Sequence, residues 1–90
     1  MIGSFLKTAQ FRCRFAKELG DVGKAAQWAN DGMQWFIEEA EAGRMNELLV
    51  RDAAGFAGDL KANLKVLAAG GLDEELVERF LSMLKDVTSD

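Results

Sequence analysis

Residues 22–43 read VGKAAQWANDGMQWFIEEAEAG, and we expect the rest of the chain to pack around them. Apolar residues recur here at the three- and four-residue spacing of an α-helix and fill one sector about 120° wide. Trp28 and Trp35 fall just outside that sector, on the side where Gly32 leaves a notch. Apolar side chains therefore cover about half of the helix circumference, which predicts contacts on two sides. The sector comprises Val22, Ala25, Ala26, Ala29, Met33, Phe36, Ile37 and Ala40.

The same spacing predicts helices over residues 4–19, 22–42, 46–69 and 74–87. Proline is absent and 49% of the residues are apolar, which suits a small helical protein. Short loops favour antiparallel neighbours. The sequence thus predicts an all-α fold, a single small four-helix bundle over residues 1–90, up-down or orthogonal. Its predicted boundaries are Ser4, Asp21 and Asp73 as N-caps and Gly20, Gly43 and Gly70-Gly71 as stops.

The third predicted helix has a row of apolar side chains that we expect to face the core, which we call its core stripe. It also has apolar residues and glycines that this stripe does not explain. Leu48 and Val66 point away from that stripe, on the same side as Gly55. Gly55 and Gly58 each cost about 1 kcal/mol relative to alanine inside a helix. We expect either a close approach of another helix or ring at these glycines, or a kink.

Charge is divided unevenly along the chain, whose net charge is −4. Residues 1–19 carry four bases and one acid, a balance of +3, while residues 20–90 carry 7 bases and 14 acids, a balance of −7. An acidic body repels nucleic acid, because phosphate contacts dominate such binding. It favours a partner protein with a basic surface.

The residues needed for common catalytic and metal sites are missing. The sequence has no histidine and one cysteine, Cys13, which we expect to be an unreactive core thiol. It has no phosphate-binding glycine loop and no EF-hand spacing. We therefore predict a protein that is not an enzyme and holds no cofactor or metal. A lone cysteine, no apolar run long enough to span a bilayer and no secretory signal predict a cytoplasmic protein without membrane contact.

Aromatic and mismatched residues are the best candidates for a partner-binding surface. Tryptophan is enriched in interface hot spots; the main alternative for Trp28 and Trp35 is that both fill the core, and a further one is that they hold a ligand between them. Arg12 falls inside the apolar arc of the first helix, where it either extends its head to water or pairs with an acid of another helix or subunit. The predicted contact residues are Phe11, Arg12, Trp28, Gly32, Trp35, Glu39, Leu48 and Val66.

These observations predict a small regulator that binds another protein through a basic or apolar surface of that partner. A concrete form is an antiactivator that sequesters a transcription factor; a homodimer or other homo-oligomeric module is the alternative within this class. Outside it, AAQWANDGMQWFIEEAEAGRM at residues 25–45 resembles excisionase-like helix-turn-helix proteins in its Ala-Ala opening and its closing Gly-Arg-apolar turn. That resemblance implies DNA binding, for which the basic first helix offers better residues than the acidic second.

Overall fold

The computed structural model describes residues 4–88, which form five α-helices and no strand. The all-α prediction is confirmed. Four of the helices follow the predicted pattern, and the fifth arises from a break in the third predicted helix. The helices are α1 (Phe5–Glu18), α2 (Val22–Glu41), α3 (Glu47–Ala62), α4 (Leu64–Ala69) and α5 (Glu74–Thr88).

Side-chain caps begin three of these helices. Asp21 accepts a hydrogen bond from the backbone N–H of Lys24 at 3.0 Å, and Asn46 and Asp73 do the same for the residues three positions ahead of them. Such caps satisfy donors that the first turn of a helix leaves unpaired. Ser4 is the N-cap of α1 by position, but its side chain makes no capping hydrogen bond.

The third predicted helix is not continuous, because it breaks at Asn63. The side-chain amide of Asn63 donates to the carbonyl of Asp59 at 2.8 Å, and the backbone N–H of Asn63 bonds to Leu60 at 3.2 Å instead. The side chain of Asn63 therefore occupies the carbonyl of Asp59, which in a continuous helix would accept the backbone N–H of Asn63. Asn63 leaves helical geometry, with φ −122° and ψ 18°, and α4 starts after it.

Helix α2 forms the centre of the structure and packs against α1, α4 and α5, while α3 packs against α1 and α5. The predicted apolar sector of α2 is largely buried, including Met33, Phe36 and Ile37. Phe80 of α5 lies edge-on between two rings, with centroids 5.3 Å from Phe36 and 5.6 Å from Phe56. Edge-to-face pairs of this kind add to the stabilisation from area burial.

The close approach predicted at Gly55 and Gly58 occurs instead at Gly32. A Cβ added to Gly32 would lie 3.0 Å from the Cβ of Ala9 and 3.0 Å from the ring of Phe56. A Cβ at Gly58 would meet nothing within 4 Å, and one at Gly55 would meet only Gln10 at ordinary contact distance. The absence of a side chain at Gly32 thus allows Ala9 of α1 and the Phe56 ring of α3 to pack on α2.

Candidate functional site

Helix α1 presents a row of large apolar side chains to solvent. Phe11 and Phe15 of α1, and Leu19, the C-cap residue that follows it, are 53%, 63% and 69% exposed. Their four-residue spacing places them on one side of the helix, over a length of about 12 Å. These three residues are called the α1 stripe below. Phe11 was a predicted contact residue, and the structure adds the other two.

The exposure of Phe15 and Leu19 corrects the predicted core of the first helix. Helical spacing in the sequence predicts one apolar face for the first helix, with Phe15 at its margin; that face comprises Phe5, Leu6, Ala9, Cys13, Ala16 and Leu19. In the structure the buried residues of α1 are Leu6, Ala9, Gln10 and Ala16, so the buried face is rotated toward Gln10. This polar residue belongs to the core because its amide donates to Asp59 at 2.9 Å.

Basic side chains lie beside aromatic rings at both edges of the α1 stripe. The Lys7 ammonium is 5.6 Å and the Arg14 guanidinium 5.7 Å from the ring centroid of Phe11. At the other edge, the guanidinium of Arg12 lies 4.9 Å from the ring centroid of Trp28. At these distances the cations interact favourably with the aromatic rings, and this interaction holds them at the borders of the α1 stripe.

Arg14 and Asp59 form an ion pair that links α1 to α3, with 2.7 Å between Nη2 and Oδ2. The hydrogen bond to Asp59 raises the pKa of Arg14. Partial burial opposes ionisation of Asp59, but the hydrogen bonds from Gln10 and Arg14 outweigh it and lower its pKa. Within residues 4–88, Arg12 makes no such pair with a carboxylate. The intramolecular ion pair considered for Arg12 is therefore not found, and its guanidinium stacks on Trp28 instead.

Trp28 and Trp35 are half-buried and pack on either side of Phe5. Their ring centroids lie 6.3 Å and 5.6 Å from that of Phe5. Both indoles also touch the hydrophobic core. They thus contribute to folding and still present an edge to solvent, and through Arg12 the indole of Trp28 adjoins the α1 stripe.

The other predicted contact residues lie apart from the α1 stripe or are engaged within the chain. Gly32 is buried beneath Ala9 and Phe56, so the predicted notch exists and is filled by side chains of this chain. Glu39 accepts two hydrogen bonds from Arg44, which lower its pKa and pair its charge within the chain. Leu48 on α3 and Val66 on α4 are 49% and 43% exposed, on helices other than the one that carries the α1 stripe.

A cavity of about 250 Å³ lies between α1, α3 and α4, on the side of α1 that carries Gln10. Cys13 lines it, and burial, followed by the charge of Asp59, raises the pKa of this thiol. The protonated thiol is the weaker nucleophile and metal ligand. Gln10 also lines the cavity, and its Oε1 atom is buried without a hydrogen-bond partner.

Among residues 4–88, no three His, Cys, Asp or Glu side chains are grouped so that they could hold a metal ion. Over the same residues, no helix combines the length and apolar character needed to cross a membrane.

Comparison of this chain with known protein families, curated proteins and solved structures found no match.

Proposed function

We propose that this protein is a non-enzymatic regulator that binds another protein through the α1 stripe. The observation that carries the proposal is the exposure of Phe11, Phe15 and Leu19 in one row. Single exposed apolar residues are ordinary, whereas an aligned group of large ones is typical of an interaction surface. Helix-mediated recognition commonly uses such a row of anchors.

Energetic considerations extend the contact beyond the stripe. The three side chains are already partly covered, and burial of their exposed fractions contributes about 3–6 kcal/mol before the costs of association. Micromolar affinity requires about 8 kcal/mol after those costs, which themselves amount to several kcal/mol. The stripe alone therefore falls short, and we include Arg12 and the exposed edge of Trp28 in the contact surface.

The regulatory mode that we propose is sequestration, in which the protein covers a surface that its partner needs. An antiactivator of a transcription factor would act in this way. Support comes from the small size of the chain and from the position of the stripe on a helix packed against α2 and α3. A helix held in this way is ordered before binding, which reduces the entropic cost of association.

Affinity capture from cell extract tests the proposal. The tagged protein should retain a partner that Phe15→Ser loses, while Val66→Ser retains it. Both substitutions remove an exposed apolar side chain, but only Phe15 belongs to the stripe, so the pair separates this surface from general stickiness. Equal capture by both variants, with circular dichroism showing both folded, would contradict the proposal.

A second candidate is single-stranded nucleic acid, favoured by the placement of Lys7 and Arg14 at Phe11 and of Arg12 at Trp28. Proteins hold single strands by combining basic grooves with aromatic rings on which bases stack. The balance of −7 over residues 20–90 opposes this function. Fluorescence anisotropy with a labelled oligonucleotide at low salt, repeated with Arg12→Gln, distinguishes the two: tight binding that Arg12→Gln weakens would favour nucleic acid.

A further inference from the structure

We infer that the α1 stripe receives an amphipathic helix whose apolar residues are bordered by aspartates and glutamates. The inference rests on the proposed function and names the chemistry of the partner. It follows from the shape of the stripe and from the charges at its two edges.

The shape of the stripe suits another helix. Phe11, Phe15 and Leu19 follow the four-residue row that forms a ridge along an α-helix, and such ridges pack into the grooves between the side chains of a second helix. The row covers about two turns. A partner helix would thus present apolar residues at positions i, i+3 or i+4, and i+7.

The charges border the stripe on both sides. At 100° per residue, Arg12 lies about 60° to one side of Phe15 and Lys7 about 80° to the other. Their contacts agree with this placement, because Lys7 approaches the ring of Phe11 whereas Arg12 approaches Trp28 on the neighbouring α2.

The Lys7 border also holds Glu18, the only acid of α1, about 60° from Phe15 and about 16 Å along the helix from Lys7. This border is therefore mixed in charge, and the Arg12 border is the basic one.

Two of these cations are available for a partner. Arg14 is engaged by Asp59, but neither Lys7 nor Arg12 forms an ion pair within residues 4–88. A partner with one carboxylate opposite Arg12 and another at the Lys7 end of the other border, away from Glu18, would pair with both. Charges at the rim of an interface act mainly on association rate and on the choice of partner.

The same charges argue against the other occupants. A second copy docked antiparallel through its own α1 would bring Arg12 near its equivalent, and like charges oppose association. A nucleic acid or anionic membrane extends beyond the stripe and meets the −7 balance of the rest of the chain. One acidic helix need cover only α1.

Two matched peptides test this inference with the full chain. Each is about five turns long with leucines at i, i+3, i+4 and i+7. One carries glutamate along both borders of the leucine face, and the other carries lysine at the same positions. Calorimetry at low salt should give at least about tenfold tighter binding of the glutamate peptide, with the difference shrinking at about 0.5 M salt.

Variants locate the effect. The double substitution Lys7→Glu and Arg12→Glu should reverse the preference between the peptides, and Phe15→Ser should weaken binding of both. Val66→Ser serves as the control and should change neither. Circular dichroism of each variant checks that it is folded.

The possible outcomes separate this inference from the proposed function. Equal binding of both peptides that Phe15→Ser removes would overturn the acidic preference and leave protein binding at the stripe intact. Binding of neither peptide would overturn the inference, while capture from extract that depends on Phe15 would still support the proposed function. Concentration-dependent dimers lost in Phe15→Ser, or tighter binding to vesicles rich in phosphatidylserine, would assign the stripe to another occupant and overturn the inference.

Discussion

Asp52 of α3 accepts two hydrogen bonds from Ser4, one from its backbone N–H at 3.2 Å and one from its hydroxyl at 2.8 Å. Both donors reach the same oxygen, Oδ2, of a buried side chain. Ser4 immediately precedes α1, so this contact fixes the start of the helix that carries the exposed stripe. A polar pair 48 residues apart in sequence thereby orients the candidate binding surface.

The first prediction concerns this contact. Asp52→Ala should lower the free energy of unfolding by about 1.5–3 kcal/mol, because it removes a carboxylate acceptor from two donors at a part-buried site. Ser4→Ala removes only the hydroxyl and should cost less, about 0.5–1.5 kcal/mol. Urea denaturation measures both. The control is Asp31→Ala, an exposed residue for which a change within about 0.5 kcal/mol is expected.

The second prediction concerns two glycines with opposite surroundings. A Cβ at Gly70 would collide with the backbone carbonyl of Val22, whereas one at Gly58 would meet nothing within 4 Å. Gly70→Ala should therefore destabilise the fold by about 1–3 kcal/mol, because backbone atoms must move. Gly58→Ala should stabilise it by about 0.5–1 kcal/mol, since alanine is the better residue within a helix. Thermal denaturation of both variants should give shifts of opposite sign.

The third prediction concerns acid and Asp59. Hydrogen bonds from Gln10 and Arg14 lower the pKa of Asp59 in the folded protein, despite its partial burial. The resulting stabilisation is fully present above the unfolded pKa of about 3.9 and is lost as the pH falls through the folded value. Between pH 6 and strongly acidic solution, the wild type should therefore lose more stability than Asp59→Asn. Urea denaturation at each pH measures the free energy of unfolding. An equal loss of stability in both proteins would contradict this assignment.

The fourth prediction uses the indole of Trp28 as a probe. Arg12→Ala should remove the cation–π contact, lower stability by about 0.5–1 kcal/mol and change the emission of Trp28. Trp35→Phe provides a background with a single indole. Arg12→Lys should restore part of the stability, because an ammonium also interacts with the ring but lacks the planar stacking surface. Unchanged emission in Arg12→Ala would show that the guanidinium does not rest on this ring in solution.

The fifth prediction is that the α1 stripe is dispensable for folding. Phe15→Ser and Leu19→Ser should change the free energy of unfolding by no more than about 0.5 kcal/mol, because both side chains are mainly exposed. Phe36→Ala, within the core, should cost about 3–5 kcal/mol. Strong destabilisation by Phe15→Ser would mean that this ring serves the fold rather than a partner.

The sequence predicted those parts of the fold that depend on local patterns. The position of α2 follows from the Asp21 cap, from helical spacing of apolar residues and from the left-handed glycine Gly43, with φ 76°. The break at Asn63 escaped prediction because it depends on which of two donors takes the carbonyl of Asp59. Asparagine is favoured at helix ends but is also tolerated within helices, as Asn30 is within α2, so its presence alone does not predict a break.

The candidate site was harder to predict than the fold. Phe11 and Arg12 are predicted as contact residues from the sequence. Phe15 and Leu19 are predicted near the core, because the sequence pattern misplaces the centre of the buried face of α1. That face includes Gln10, whose burial depends on an acceptor 49 residues away. Helical periodicity detects apolar faces and gives no information on such distant polar pairs.

The ring of Phe80 between Phe36 and Phe56 has a consequence for biosynthesis. As the ribosome extends the chain, Phe36 and Phe56 emerge first, and the ring that separates them follows only with α5. Until then the nascent protein displays unfinished aromatic surface, which is the kind of surface that chaperones recognise and that promotes aggregation.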